Sequence, residues 1–234
     1  MQSTSTKSTT ANPRSPKPTV TLADIQNQFS SIYTAARDTN TVPQMSQTEY
    51  LEIYTSVCNF GMASKAKKTD AWNRQGKALF TWLDAEIRTH TRIVRDDIFG
   101  VEGLGADGSV TFTSDAAREV LNKYVEGHAG FEGLSSLVGN LLGSWDRHWL
   151  RREWHEKKTR VANVKDMHRL IWKEEVLGLG DGSAVEGNRV KRLGDAMTKL
   201  KGLEGAVEEL DEKCITDIRK SLSDLGIILE TQGW

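Results

Sequence analysis

The sequence predicts an all-α protein, a helical bundle or α-solenoid of about eight helices. Three observations carry this prediction. All four prolines (Pro13, Pro16, Pro18 and Pro43) lie before residue 44; because proline breaks helix interiors, the rest of the chain is open to long helices. Apolar residues recur at three- and four-residue spacing along most of that stretch. Two helix-start patterns stand at the head of the first apolar runs, Thr21-x-x-Asp24 and Ser46-x-x-Glu49.

Each element follows in order. Residues 1–20 form a tail in which nine positions are Ser or Thr and three are Pro, too polar to offset its ordering entropy, so it is expected to be disordered. Thr21 opens a first helix with Leu22, Ile25, Phe29, Ile32, Tyr33 and Ala36 on one face. Ser46 and Glu49 form a capping box for a second, Tyr50 to Phe60. A third runs from about Thr69 to Phe99, with Trp72, Leu79, Leu83, Ile87, Val94 and Ile98 near one face. Gly100 to Gly108 reads as a glycine loop, and Val110 to Thr113 alternates like a short strand. Ser114 caps a fourth helix to about Glu126; a fifth spans about Gly130 to Lys158 and a sixth about Val161 to Leu177. After a second glycine loop, Gly178 to Gly187, two more amphipathic helices cover about 188–201 and 206–225.

Composition narrows the function. Hydrophobic residues make up 38% of the 234, enough for a core. With 31 basic against 32 acidic residues, the net charge is −1, whereas a dedicated nucleic-acid or membrane-surface protein carries a basic excess. The two cysteines, Cys58 and Cys214, cannot build a disulfide framework or a Cys-rich zinc site. With no secretory apolar segment at the start, a reducing compartment, cytoplasm or nucleus, is expected. No apolar run is long enough to span a membrane.

No catalytic constellation is present in the sequence. His148 and His155 are seven residues apart, too far along a helix to share one metal. The glycines at 100, 103 and 105 follow a helix rather than a strand and do not lead into a phosphate-binding Gly-Lys pair. The expectation is a non-enzyme with no cofactor and no metal.

Two segments stand out. The second helix is apolar nearly all round, with Tyr50, Tyr54, Val57 and Phe60 down one side. Either it is a central bundle helix or its tyrosines face a partner, a role that suits side chains combining apolar area with a hydroxyl. The second segment is Trp145-Asp146-Arg147-His148-Trp149-Leu150-Arg151-Arg152-Glu153-Trp154. From Arg147 to Lys173 there are nine Lys/Arg and three Asp/Glu. Basic residues among aromatics could bind nucleic acid. The favoured reading is a bundle helix whose tryptophans face inward and whose arginines pair with acids, those at 204, 208, 209, 211 and 212 being candidates.

These segments, in this order, resemble the N-terminal repeat of the cullin family. Residues 50–60 resemble the second cullin helix, with its pattern Tyr, apolar, Glu, Leu, Tyr, Thr, x, Val, Tyr, Asn, Tyr. Asp146 to Glu153 resembles the family's Asn-Arg-His-Trp-Val-Arg-Arg-Glu, and Leu170-Ile171-Trp172-Lys173 the Leu-Val-x-Trp-Arg/Lys run that follows it. The likeness covers residues 21–178 as a first cullin-repeat-like unit, with 179–234 as the start of a second. It implies a non-catalytic scaffold segment that binds a Skp1- or elongin C-type adaptor of BTB/POZ fold, part of a cullin-RING ubiquitin ligase. The adaptor-binding positions it implies are Tyr50, Leu51 and Tyr54 on the second helix and Leu137, Asn140 and Ser144 on the fifth. At Ser144 the best-studied cullin contact carries Tyr, which offers far more apolar area. The family's RING-binding region lies beyond the matched segment, so no RING subunit is expected on this chain. The alternatives are a basic nucleic-acid-binding module through 147–173 and a purely structural helical protein.

Overall fold

The computed structural model describes residues 20–39, 41–65, 70–100, 112–180, 188–201 and 209–227. The tail, most of both glycine loops, and Val110 and Thr111 of the expected strand lie outside these residues. Among the described residues every regular element is a helix. The helices are α1 (Leu22–Thr39), α2 (Gln47–Lys65), α3 (Asp70–Phe99), α4 (Ser114–Leu141), α5 (Gly143–Trp145), a π-helical turn (Asp146–Leu150), α6 (Arg151–His155), α7 (Val164–Glu175), α8 (Asn188–Lys201) and α9 (Glu209–Asp224). Counting the interrupted run Gly143 to His155 as one, the described residues form eight helices, the number expected.

Both helix starts form as their patterns require. The Ser46 N–H and hydroxyl donate to Glu49 Oε2 at 2.8 and 2.7 Å, and the Glu49 N–H donates back to Ser46 Oγ at 3.2 Å. Thr21 and Asp24 repeat the exchange at α1. α1 then buries Ile25, Phe29, Ile32, Tyr33 and Ala36, the stripe its spacing lays out.

Three boundaries differ from expectation. The expected fourth helix runs on through the start of the expected fifth as one 28-residue helix, α4, and the rest of the fifth is the interrupted run Gly143 to His155. Gly127 does not stop α4, because the glycine serves a contact between helices: a Cβ there would lie 2.9 Å from Val94 Cγ1 of α3. The cap of α4 is Thr113 rather than Ser114, its hydroxyl accepting from the Ala116 N–H at 3.2 Å. α7 starts at Val164 because Asn163 is its cap, accepting from the Asp166 N–H at 2.8 Å. Phe112 and Thr113 form no strand.

The helices share one connected core that runs from Ile25 in α1 to Leu225 after α9. α3 packs on α1, α4 and α7, and α4 packs in turn on α7, α8 and α9. A charged knot ties α3 to the end of α7. Arg88 donates to Asp84 (2.9 Å), Glu174 (2.6 Å) and Glu175 (2.9 Å), and Arg92 forks onto Glu175 at 2.9 Å through two nitrogens. Arg189 of α8 reaches the carbonyls of Glu175 and Val176 at the same helix end. Replacing Arg88 by Met leaves three carboxylates crowded around an apolar stem. The expected loss is about 2 kcal/mol, discounted from the fully buried case because these side chains stay partly wet. Urea unfolding of Arg88→Met at neutral pH measures it.

Candidate functional site

α2 lies beside α4 and α5. Val42, just before α2, sits where a side chain on Gly133 of α4 would be. Near the other end of α2, Phe60 meets Trp72 at 6.1 Å between centroids, and the next turn of α3 presents Gly76 to Trp149. α2 therefore runs alongside the second half of α4 in the same direction, which places the two implied sets of binding positions on neighbouring elements.

The individual positions differ in what they offer. Leu51 is 51% exposed, the most exposed large apolar side chain among the described residues. Tyr50 and Tyr54 are half-buried, packed partly on the core, with parallel rings 6.3 Å apart, as an i, i+4 pair allows. Leu137 is half-buried against the core, and Asn140 is exposed. Ser144 is only 9% exposed, so it presents little surface. The reason is local: α4 breaks at Leu142, and the short helix that follows draws Ser144 and Trp145 inward.

Trp145 and Trp149 stack at 5.3 Å in the interior, so they provide no platform for bases; of the three tryptophans of this segment only Trp154 is exposed, at 42%. Among the described residues the basic run finds acids close by; of the candidate partners, Glu204, Glu208 and Glu209 lie outside the residues whose side chains are described. Arg152 pairs with Glu153, Lys158 with Glu156, Arg160 with Glu174 and Arg169 with Glu132. Asp211 is taken by Arg118 of α4, in a two-pronged contact at 2.9 and 2.8 Å. Arg147, Arg151, Lys157 and Lys165 are exposed. Asp146, in the π-helical turn, has its carboxyl pushed up to about 6 by burial, against the pull of Arg151, the Val164 N–H and Arg147.

The sequence reading passed over a second constellation. His168 of α7 is fully buried. Its Nδ1 lies 2.8 Å from the Val164 carbonyl and its Nε2 2.8 Å from the Tyr33 hydroxyl. A carbonyl only accepts, so Nδ1 carries the proton and the neutral ring accepts from Tyr33. His90 lies edge-on to Tyr33 and stacks on Phe131, which also meets His168 and Trp172. Burial pushes both imidazoles down to about 4; the positive charge of Arg37 adds to this at His90, and at His168 the bond to Val164 opposes it. The i, i+4 pairs Tyr124–His128 and His168–Trp172 were the available signal. Among the described residues no His, Cys, Asp or Glu group of three converges as a metal site, and no helix is long and apolar enough to cross a membrane. No protein-family model matches the chain, and none of the curated proteins or solved structures matches it.

Proposed function

We propose that this chain is a cullin-like scaffold segment, non-catalytic, that binds a Skp1- or elongin C-type adaptor of BTB/POZ fold through α2 and the neighbouring end of α4. The observation that carries the reading is Leu51, an exposed leucine flanked by the stacked Tyr50–Tyr54 pair, on a helix that packs against α4, the helix that carries Leu137 and Asn140. Such a patch has an apolar anchor, aromatic area and a polar edge, the composition of a protein-binding hot spot. The resemblance of residues 50–60 and 146–153 to the cullin pattern supplies the partner class.

Leu51→Arg tests this more cleanly than changes at the tyrosines, because Leu51 carries less of the fold. Co-elution of the purified chain with a Skp1-type adaptor is expected for the parent, with a loss of affinity of about tenfold or more in Leu51→Arg. Tyr50→Ala combined with Tyr54→Ala should abolish the complex. Unchanged binding by Leu51→Arg would overturn the assignment. The half-burial of the tyrosines and the burial of Ser144 favour a second reading, a purely structural helical protein. That reading is upheld if the folded parent chain captures no adaptor.

A further inference from the structure

A groove of about 330 Å³ opens between the α6–α7 connection, the outer side of α7 and the end of α9. Its floor is apolar, made by Val161, Leu170 and Leu225. Around it stand the exposed indole of Trp154 and three cations, Arg160, Arg169 and Lys173. It uses none of the residues of the α2 face, so it stands or falls independently of the adaptor reading.

We propose that this groove docks an acidic peptide segment of a partner protein. One apolar side chain of the peptide enters the floor beside Trp154, and carboxylates on either side of it meet Arg160, Arg169 and Lys173. Charge complementarity is the main argument. The segment 147–173 carries nine Lys/Arg against three Asp/Glu in a chain of net charge −1, and Glu132, Glu174 and Asp224, which approach it from outside the segment, offset only part of that surplus. Arg147, Arg151, Lys157 and Lys165 of the same segment are also exposed. Arg169 is available for exchange: it holds Glu132 at 3.4 Å with its guanidinium about half in water, and a peptide carboxylate competes with such a wet pair at little cost.

Two features favour a peptide over a nucleic acid. Asp166 and Asp224 also line the groove, and carboxylates there repel a continuous phosphate backbone while leaving room for spaced acidic side chains. Single-strand binding uses successive aromatic platforms, and here Trp145 and Trp149 are in the core, leaving Trp154 as the one exposed indole of residues 145–154.

The probe is a fluorescein-labelled peptide with a central Phe flanked by Asp and Glu, titrated with the full chain and read by anisotropy. Saturable binding that weakens with salt is expected. Arg169→Glu with Lys173→Glu should weaken it by about tenfold or more, and Trp154→Ala by about threefold. Asp224→Asn should tighten it by about twofold, because it removes a repelling carboxylate. That gain cannot arise from lost folding, so it remains informative if a charge-reversal variant melts early. Leu51→Arg should leave the affinity unchanged. The proposal is overturned if the parent does not bind the peptide, if a peptide with Lys in place of the acids binds as well, or if Asp224→Asn has no effect. It is also overturned if a labelled oligothymidylate binds more tightly than the peptide and the same charge reversals abolish that binding.

Discussion

Between pH 6.5 and pH 4 the protein is expected to lose several kcal/mol of stability, a loss that begins well before its carboxylates are neutralised. The cause is the imidazole pair of the core. His90 and His168 titrate near their ordinary value of 6.5 when the chain is unfolded, and near 4 when it is folded. In that window the unfolded chain binds more protons than the native one, so stability falls as pH falls; above 6.5 both forms are neutral and the contribution is complete. A shift of this size is worth up to about 3 kcal/mol per imidazole, against a total stability of about 5–15 kcal/mol for a domain. Geometry explains why the rings resist protonation. His168 Nε2 accepts from Tyr33, and a second proton would reverse that bond and place a positive charge in a fully buried site. A charge on His90 would sit in the field of Arg37, and each imidazolium would repel the other. Asp146 works in the opposite direction, since a carboxyl raised to about 6 takes up its proton more readily folded than unfolded, and it offsets part of the loss. The acid-side ion pairs act later. Despite some burial, Arg92 and Arg88 hold the Glu175 carboxyl below its usual range, and Arg118 does so for Asp211, so these contributions fade only below about pH 4.5.

Urea unfolding at pH 7.5, 6 and 5 measures the effect. His90→Leu should flatten the dependence by removing one titrating ring and a buried nitrogen, Nδ1, that lacks a hydrogen-bond partner. His168→Gln should lower stability at pH 7.5 and flatten the curve as well. An unfolding midpoint that stays constant from pH 7.5 to 5 in the parent would show that the pair does not titrate as its burial requires.

What was legible in the sequence was local. The Thr21–Asp24 and Ser46–Glu49 exchanges involve residues three apart, and the buried stripe of α1 lies within five turns, so pattern alone reaches them. What was illegible depends on partners distant in the chain. Gly127 looks like a helix break until Val94 is found against it. His168 has no local sign of its hydrogen-bonding role until Tyr33, 135 residues away, is found at its ring. The acids that balance the basic run could not be chosen from composition, because Glu132 and Glu174 reach it only through the packing of α4 and α7. On α2 the difficulty is different. A helix apolar nearly all round does not announce which side is wet, and here the exposed residue is Leu51 rather than either tyrosine. The resemblance included Leu51 among the binding positions, whereas periodicity alone had placed the emphasis on the tyrosines.

A single methyl group at residue 76 should cost the protein about 2–3 kcal/mol, although the same change in an ordinary helix interior is stabilising by about 1 kcal/mol. Gly76 lies on the buried face of α3, and a Cβ there would fall on Nε1, Cδ1 and Cε2 of the Trp149 indole. The indole has no room to retreat. It is 2% exposed, stacked on Trp145 at 5.3 Å and tilted against Phe80 at 6.1 Å. It also belongs to the π-helical turn, whose extra residue per turn already sets the direction in which Trp149 projects. Gly76 is thus the socket that lets α3 hold the interrupted run after α4 in place, and with it the end of α4 that borders α2. A double-mutant cycle separates this from a general intolerance of α3. Trp149→Ala alone should cost about 3–5 kcal/mol through the cavity it leaves. In that background the socket is empty, so Gly76→Ala should recover its ordinary helix benefit and change sign, stabilising by about 1 kcal/mol. The coupling between the two sites would then be about 3 kcal/mol or more, at the upper end for residues in contact. If Gly76→Ala stabilises the parent as it would a free helix, the indole does not occupy the socket, and the register of residues 146–150 against α3 must be different.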